Sequence, residues 1–462
     1  MTGTSPFRRC PASAGAAALP VPERARRYTL HSPFPLLPMS ARLPYTLLWI
    51  LALPFVLLRL LWRARRQPDY LRHWGERFGS YAGKPPEKLI WVHAVSVGET
   101  RAAEPLLRAL LAQWPDHGVL LTQMTPTGRE TAEALFGKEP RVLLAYLPYD
   151  LGWLSARFLR HFRPRFGVIM ETELWPNLLA TCRRQGVPVA LVNARLSERS
   201  ARRYARLPAL SELTLGALSA VAAQTEDDAR RLNALGAPQP RVTGSIKFDI
   251  TPPAAQLELA RQFRSGFDQR PVLLAASTRD GEEALLLEAF KQHANTDVLL
   301  ALVPRHPQRF DEVARLVQSR GLKLQRRSDN APVAADTRVW LGDSMGEMFA
   351  YYAAADVALI GGSWLPFGGQ NPIEACAVGT PVLLGPHTYN FLQVAEQAIA
   401  AGAAQRLPDA EGGVKEALAL LGDPDRRARM AQAGAQFSLA HRGATARTVA
   451  VLKTMPAQVE QA

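Results

Sequence analysis

From Lys88 onward the chain alternates short apolar runs with longer stretches of helical spacing, and it does so in two series. LIWVHAV, VLLTQM, VLLAYLPY, FGVIMETE, PVALVNA and AVAAQT form the first series. After the interruption DITPPAA, which begins at Asp249, the runs PVLLAAST, DVLLALVP, RVWLGD, DVALIGGS and PVLLGP form the second. Strand and helix taking turns predicts a parallel sheet with helices on both faces. A proline-bearing break between two such series predicts two doubly wound, Rossmann-like α/β domains joined by a hinge. Length agrees, because 462 residues exceed what one compact core normally holds. No short internal repeat is evident.

Sheets of this kind bind ligands beyond the carboxyl ends of their strands, so the polar residues at those positions are the candidates. In the first domain they are Ser96, Gly98 and Glu99, then Thr125 to Arg129, then Glu171 and Glu173, then Asn193 to Arg195. In the second they are Ser277 to Arg279, Pro304 to Pro307, Gly342 to Glu347 and Gly361 to Glu374. Within the last stretch Asn371-Pro372 can open a helix whose N–H groups suit a phosphate, and Glu374 could accept from ribose hydroxyls. Glycines that only make turns, and a glutamate that only complements a helix dipole, account for the same residues. No G-x-x-x-x-G-K-[ST] and no G-x-G-x-x-G opening the first βα unit is present, which disfavours a P-loop kinase or a dinucleotide dehydrogenase. Glu99 has two readings: a first-turn carboxylate favoured by the helix dipole, or a general base.

The formal charge of +14 suits nucleic acid, an anionic membrane surface or an acidic substrate. Basic stretches interleaved with exposed aromatics are missing, which argues against a nucleic-acid partner. The run from Tyr45 to Trp62 is almost wholly apolar and is followed by Arg63, Arg65 and Arg66. It is borderline against the about 20 residues that span a bilayer, and it carries Pro54 and Arg59. An uncleaved anchor or interfacial helix is expected, with a buried core helix as the alternative; the arginines place the following domain on the cytoplasmic side. Residues 1–38 read as a disordered tail or a mis-assigned extension ahead of Met39. Cys10, Cys182 and Cys376 show no metal or disulfide spacing, and a reducing compartment is expected.

HAVSVGE, TPTGRE, METELWPN, LVNARLS, GSIKFD, PRHPQRF, GDSMGEM, GGQNPIEA and GPHTYNF, in this order behind an apolar N-terminal segment, resemble the 3-deoxy-D-manno-octulosonic acid (Kdo) transferases of lipopolysaccharide synthesis. The resemblance covers Met39 to Arg442. It implies a GT-B fold: an anchor at 39–66, an acceptor domain at 67–248, a CMP-Kdo-binding domain at 249–442, and a C-terminal tail or crossover helix at 443–462. It implies transfer of Kdo with inversion from CMP-Kdo to lipid IVA at the cytoplasmic face of the bacterial inner membrane. Glu99 would be the general base, and Met345, Gly346, Glu347, Asn371, Pro372, Ile373 and Glu374 would complete the CMP site beside Pro304 and Arg305. Arg305, at a strand end, is a candidate for phosphate or cytosine contact, and Lys247 for the phosphate or the Kdo carboxylate, with a solvated surface lysine as its plain alternative. Glu171 and Glu173 would assist Glu99 or bind acceptor; Ser96, Gly98, Arg129, Arg195 and Ser277 are further candidates. One phosphate on the leaving group gives no diphosphate for a metal to bridge, so neither metal nor cofactor is expected. Arg279-Asp280 and Phe367 depart from the family pattern, which often has a His-Glu or His-Pro pair and a polar or basic side chain there. A GT-B transferase using a UDP-sugar donor and a non-enzymatic basic protein are the competing classes.

Overall fold

The computed structural model describes residues 41–65, 67–294 and 297–455. The extension 1–38, Met39, Arg66 and the end of the tail at 456–462 lie outside the described residues.

Seven parallel strands make the first sheet: β1 (Leu89–His93), β2 (Gly118–Gln123), β3 (Val142–Tyr146), β4 (Phe166–Met170), β5 (Val189–Ala194), β6 (Ala220–Ala223) and β7 (Arg241–Val242). Their spatial order is β3-β2-β1-β4-β5-β6-β7. Seven more make the second: β8 (Val272–Thr278), β9 (Leu299–Pro304), β10 (Leu324–Arg326), β11 (Val339–Leu341), β12 (Val357–Ile360), β13 (Val382–Leu384) and β14 (Ala404–Arg406). Their order is β10-β11-β9-β8-β12-β13-β14. Each sheet therefore winds outward both ways from its first strand, and the direction reverses between β1 and β4 and between β8 and β12. That reversal opens a crevice at the strands' carboxyl ends in each lobe.

The inner strands are apolar on both faces because helices cover both. Leu89, Trp91, Leu120, Ile169 and Leu191 pack on one side of the first sheet, while Ile90, Val92, Leu121, Val168 and Val192 pack on the other. The second sheet divides likewise, with Leu274 and Ala276 on one face and Leu273 and Ala275 on the other.

The two lobes are stitched where the chain leaves the first and returns to it. The Asp249 carboxylate accepts from the N–H groups of Gly443 and Thr445. Arg447 Nε donates to the Thr243 carbonyl at 2.8 Å, and Arg442 donates to that of Ile250 at 3.1 Å. The final helix, Ala444–Lys453, then packs Ala444, Val449 and Leu452 into the core of the first lobe.

The apolar segment forms one helix, Leu43–Ala64, long and apolar enough to cross a membrane. It docks along one face. Trp49, Leu53, Val56 and Leu57 cover Tyr149, Leu151 and Leu154, and the Tyr45 hydroxyl donates to Asp150 at 2.8 Å. The opposite face leaves Leu48, Leu51, Phe55 and Leu58 in the open, Phe55 by 73%.

Candidate active site

The helix Val97–Gln113 follows β1 directly, so its N-terminus stands at the crevice of the first lobe. Ser96 is the N-cap, and its hydroxyl oxygen accepts the Glu99 N–H at 3.4 Å. Oε2 of Glu99 accepts the Val95 N–H at 2.8 Å, and Oε1 accepts the Ser96 hydroxyl at 3.2 Å. Glu99 is therefore a capping carboxylate. Its pKa is nonetheless pushed up to about 7, chiefly by burial and further by the charges of Glu171 and Glu173, against the lowering effect of the Val95 N–H. A carboxylate poised near neutrality can take a proton from an alcohol as a bond forms. Both readings of Glu99 thus describe one geometry. Gly98 is exposed in the same first turn, where an added Cβ would meet only the Ser96 hydroxyl oxygen, at 3.9 Å.

Glu171 lies just past β4 with φ at 56°, a left-handed backbone that a non-glycine residue rarely adopts. Its Oε1 is 2.8 Å from Lys247 Nζ, and the same ammonium lies 5.9 Å from the ring centre of Phe391 in the second lobe. Glu173 is held above the usual carboxylate range by burial and then by Glu171. Three carboxylates and one lysine so gather at the strand ends. Arg195 is half-buried after β5, with its carbonyl taken by the Thr172 hydroxyl. Arg129 is not gathered with them: its guanidinium pairs with Glu76 at 2.8 Å and stands over the Tyr146 ring, inside its own lobe.

Across the cleft, Pro304 is buried at the end of β9 and Arg305 emerges half-buried beside it. The Arg305 N–H donates to the Thr278 carbonyl at 2.9 Å, while no ion pair holds its guanidinium among the described residues. Burial, then the neighbouring charges of Arg101 and Arg279, lower its pKa. Glu374 is raised by burial and lowered by Asn371, Arg101 and Arg305. Arg101, two residues beyond Glu99, is thus the first-lobe cation that acts on both Arg305 and Glu374. The sequence reading passed over it. A cation so close to a helix N-terminus opposes the helix dipole, and that mismatch was the available signal.

The helix expected after Asn371-Pro372 spans only Ile373–Ala377, with Glu374 its second residue. Asn371 Oδ1 accepts the Ile373 N–H at 3.0 Å, so that donor is already satisfied and is not offered to a phosphate. Pro372 and Ile373 are buried, the latter in the core. Met345 is half-exposed at 51%, and Gly346, with φ at 81°, faces open space. Glu347 accepts from Arg327 Nε and Nη2, both at 3.2 Å, which anchors this loop to its own lobe.

Ser277, with φ at 55°, is the penultimate residue of β8, its hydroxyl 3.8 Å from the Met348 sulfur. Beside it, a Cβ on Gly361 would stand 2.4 Å from the Ser277 carbonyl oxygen, so only glycine lets β12 leave the sheet here. Glu282, 0% exposed, organises both loops. Its carboxylate accepts the N–H groups of Arg279 at 2.8 Å, Gly362 at 2.6 Å, Trp364 at 2.9 Å and Leu365 at 3.3 Å. Glu282 had no distinguishing signal, since two acids before an apolar run read as a helix start. The Arg279 guanidinium lies 4.7 Å from the ring centre of Phe367, so the two departures from the family pattern stack on each other. Among the described residues no group of three or more side chains could hold a metal ion.

Two Rossmann-like lobes face a cleft, and a C-terminal helix returns to the first lobe; these features define the GT-B class of glycosyltransferases. Residues 72–250 match the family described as 3-Deoxy-D-manno-octulosonic-acid transferase (kdotransferase), and residues 276–437 match glycosyl transferases group 1. The 3-deoxy-D-manno-octulosonic acid transferase of Bordetella pertussis is 48% identical over 389 residues, covering 82% of this chain and 90% of the relative. That of Haemophilus influenzae is 36% identical over 417 residues, covering 88% and 97%. The chain belongs to the 3-deoxy-D-manno-octulosonic acid transferase family. The UDP-GlcNAc 2-epimerase of Neisseria meningitidis, at 17% identity and TM-score 0.52 over 79% of this chain and 99% of that one, shares the fold alone.

Proposed function

We propose that the protein moves Kdo from CMP-Kdo to the bisphosphorylated lipid A precursor lipid IVA, at the cytoplasmic face of the inner membrane. The observation that carries the reading is Glu99, poised near neutrality by burial and by Glu171 and Glu173 at the crevice that faces Arg305 and Glu374.

A lipid IVA hydroxyl attacks the anomeric carbon of Kdo while Glu99 takes its proton. The bond from that carbon to the phosphate oxygen breaks, and CMP leaves from the opposite face with the bonding electrons. Arg305, half-buried and without an ion-pair partner among the described residues, stabilises the charge that develops on the departing phosphate. Arg101 approaches the same place from the first lobe. Glu374 holds the nucleotide sugar, and the Met345-Gly346-Glu347 loop closes the CMP site. Lys247 neutralises Glu171, and its ammonium is in reach of the Kdo carboxylate if the pair opens. A monophosphate leaving group surrounded by guanidinium groups needs no metal bridge. The exposed face of the helix Leu43–Ala64 and the net charge of +14 suit an anionic membrane surface.

The test is transfer from radiolabelled CMP-Kdo, or from UDP-sugars, to lipid IVA in detergent. Label should move from CMP-Kdo alone, with EDTA without effect. Transfer from a UDP-sugar, or loss with EDTA and recovery with Mg²⁺, contradicts the donor or the metal-free reading respectively.

A further inference from the structure

A cavity of about 460 Å³ lies beside Tyr45 of the membrane-directed helix, against the helices Glu198–Tyr204 and Pro208–Leu215. Leu174, Pro176, Leu207, Leu210 and Leu215 line it, together with Tyr204 and Arg203. Its volume falls in the roughly 300–1,000 Å³ range of small-ligand pockets. Its surface is mainly apolar, with Ser200, Ser211 and Thr214 as polar exceptions, which suits a hydrocarbon more than a sugar or a nucleotide.

Three observations fix what fits it. One end adjoins the reacting carboxylates: Leu174 follows Glu173 in the chain, burial and then the nearby Glu173 charge raise the pKa of Tyr204, and Glu173 acts on Glu99. The other end is continuous with the apolar surface directed at the membrane, since Leu207 is 60% exposed at the cavity and Tyr45 belongs to the helix that bears exposed Leu47 and Leu48. Arg203 lines the cavity and makes its rim basic, and Arg199 and Arg206 flank it in the chain. All three are exposed with no ion-pair partner among the described residues, whereas Arg202 pairs with Glu198. An apolar slot with free guanidinium groups at its mouth matches an acyl chain attached to a phosphorylated sugar.

We propose that this cavity receives one acyl chain of the acceptor glycolipid, with an acceptor phosphate at the arginine rim, so that the reacting hydroxyl is presented to Glu99. The inference rests on the reading of the acceptor as an anionic acylated lipid. It adds that the enzyme grips the lipid by its tail as well as its headgroup.

The experiment uses the full chain in mixed micelles with lipid IVA carrying a diazirine midway along an acyl chain. After photolysis, adducts are mapped by mass spectrometry. A phosphatidylglycerol with the same diazirine represents bulk lipid. The acceptor should label Leu174 to Pro176 and Ser200 to Leu215, and the phospholipid should label the outer face around Leu48, Leu51 and Phe55. Equal labelling of the cavity by both lipids, or acceptor adducts confined to the outer face, overturns the proposal. Leu210→Trp, which fills the cavity, should cut cavity adducts at least fivefold and raise KM for lipid IVA about tenfold, with KM for CMP-Kdo unchanged. Leu207→Asp, at an exposed position that tolerates a charge, should act the same way should the tryptophan disturb folding; unchanged adducts and KM in this variant also overturn the proposal. Cavity labelling without any transfer from CMP-Kdo would count against the activity and not against the binding site, so the two failures are distinguishable.

Discussion

Lys247 Nζ lies 2.8 Å from Glu171 Oε1, so the lysine partly offsets the carboxylate whose charge, after burial, does most to raise the pKa of Glu99. In the proposed mechanism the pair helps to set the pH range in which Glu99 can act. Glu99 ionises at about 7, so kcat/KM should rise as pH passes through that value. Lys247→Met leaves Glu171 uncompensated, which disfavours ionised Glu99 and moves the acid limb of the profile to higher pH. Glu171→Gln removes a neighbouring charge and moves the limb to lower pH. A pH profile in which the two variants shift the same way would refute this coupling.

Glu99→Gln should lower turnover by about 10²- to 10⁴-fold with little change in CMP affinity, because the amide oxygen still accepts a backbone N–H and the proposed nucleotide site is in the other lobe. Single-turnover kinetics and CMP calorimetry measure the two effects. Turnover within a few-fold of wild type would leave Glu99 as a cap alone.

The same substitution has a stability signature with a definite sign. The folded-state pKa of Glu99, about 7, lies above its ordinary 4.5, so folding favours the protonated form and the ionised form is penalised. That cost is absent below about pH 4.5, grows between 4.5 and 7, and is complete above about 7. Glu99→Gln escapes it. The Tm of the variant should therefore exceed that of wild type by a margin that widens across this window and then levels off; a margin independent of pH would refute the shift.

How far the sequence foretold this structure depends on burial. The eleven runs read as strands are strands because helices cover both faces and leave them apolar. β7, β10 and β14 were not foreseen: they are edge strands of two or three residues, and each carries an arginine, Arg241, Arg326 and Arg406. The site divides in the same way. Glu99, Arg305 and Glu374 stand at strand ends or the start of a helix, where topology alone directs attention. Glu282 was invisible because its role depends on Gly362 to Leu365, about eighty residues further along. Arg129 satisfied the positional rule and yet turned inward, because Glu76 and Tyr146 offered it partners that no local pattern reveals.

The stacked pair Arg279 and Phe367 makes a fourth test. A cation over an aromatic face contributes about 0.5–1 kcal/mol at exposed sites, and here it holds a guanidinium near Arg305. Phe367→Leu should raise the KM for CMP-Kdo roughly two- to fivefold, Arg279→Ala should do the same, and the double variant should be no worse than either. Additive losses would mean that the two side chains act separately.

The last prediction concerns the helix Leu43–Ala64. Because its inner face covers Tyr149, Leu151 and Leu154, and Tyr45 donates to Asp150, deletion through Trp62 removes a structural partner as well as a tether. Asp150 is pushed up to about 6 by burial, and the Tyr45 hydroxyl favours its ionised form, so Tyr45→Phe, which leaves the helix in place, should lower Tm most above that pH. The deletion should lower Tm and reduce co-sedimentation with anionic liposomes. Leu51→Gln with Phe55→Gln, both on the exposed face, should reduce co-sedimentation and leave Tm nearly unchanged. Arg63→Gln with Arg65→Gln should give a smaller loss that salt masks, since each arginine near an anionic surface contributes roughly 1 kcal/mol. A helix docked on one side and apolar on the other would lie in the headgroup interface with the lobe beside it. Full co-sedimentation by the Leu51 and Phe55 double variant would exclude that placement, because the exposed face is the only one of this helix left to meet a bilayer.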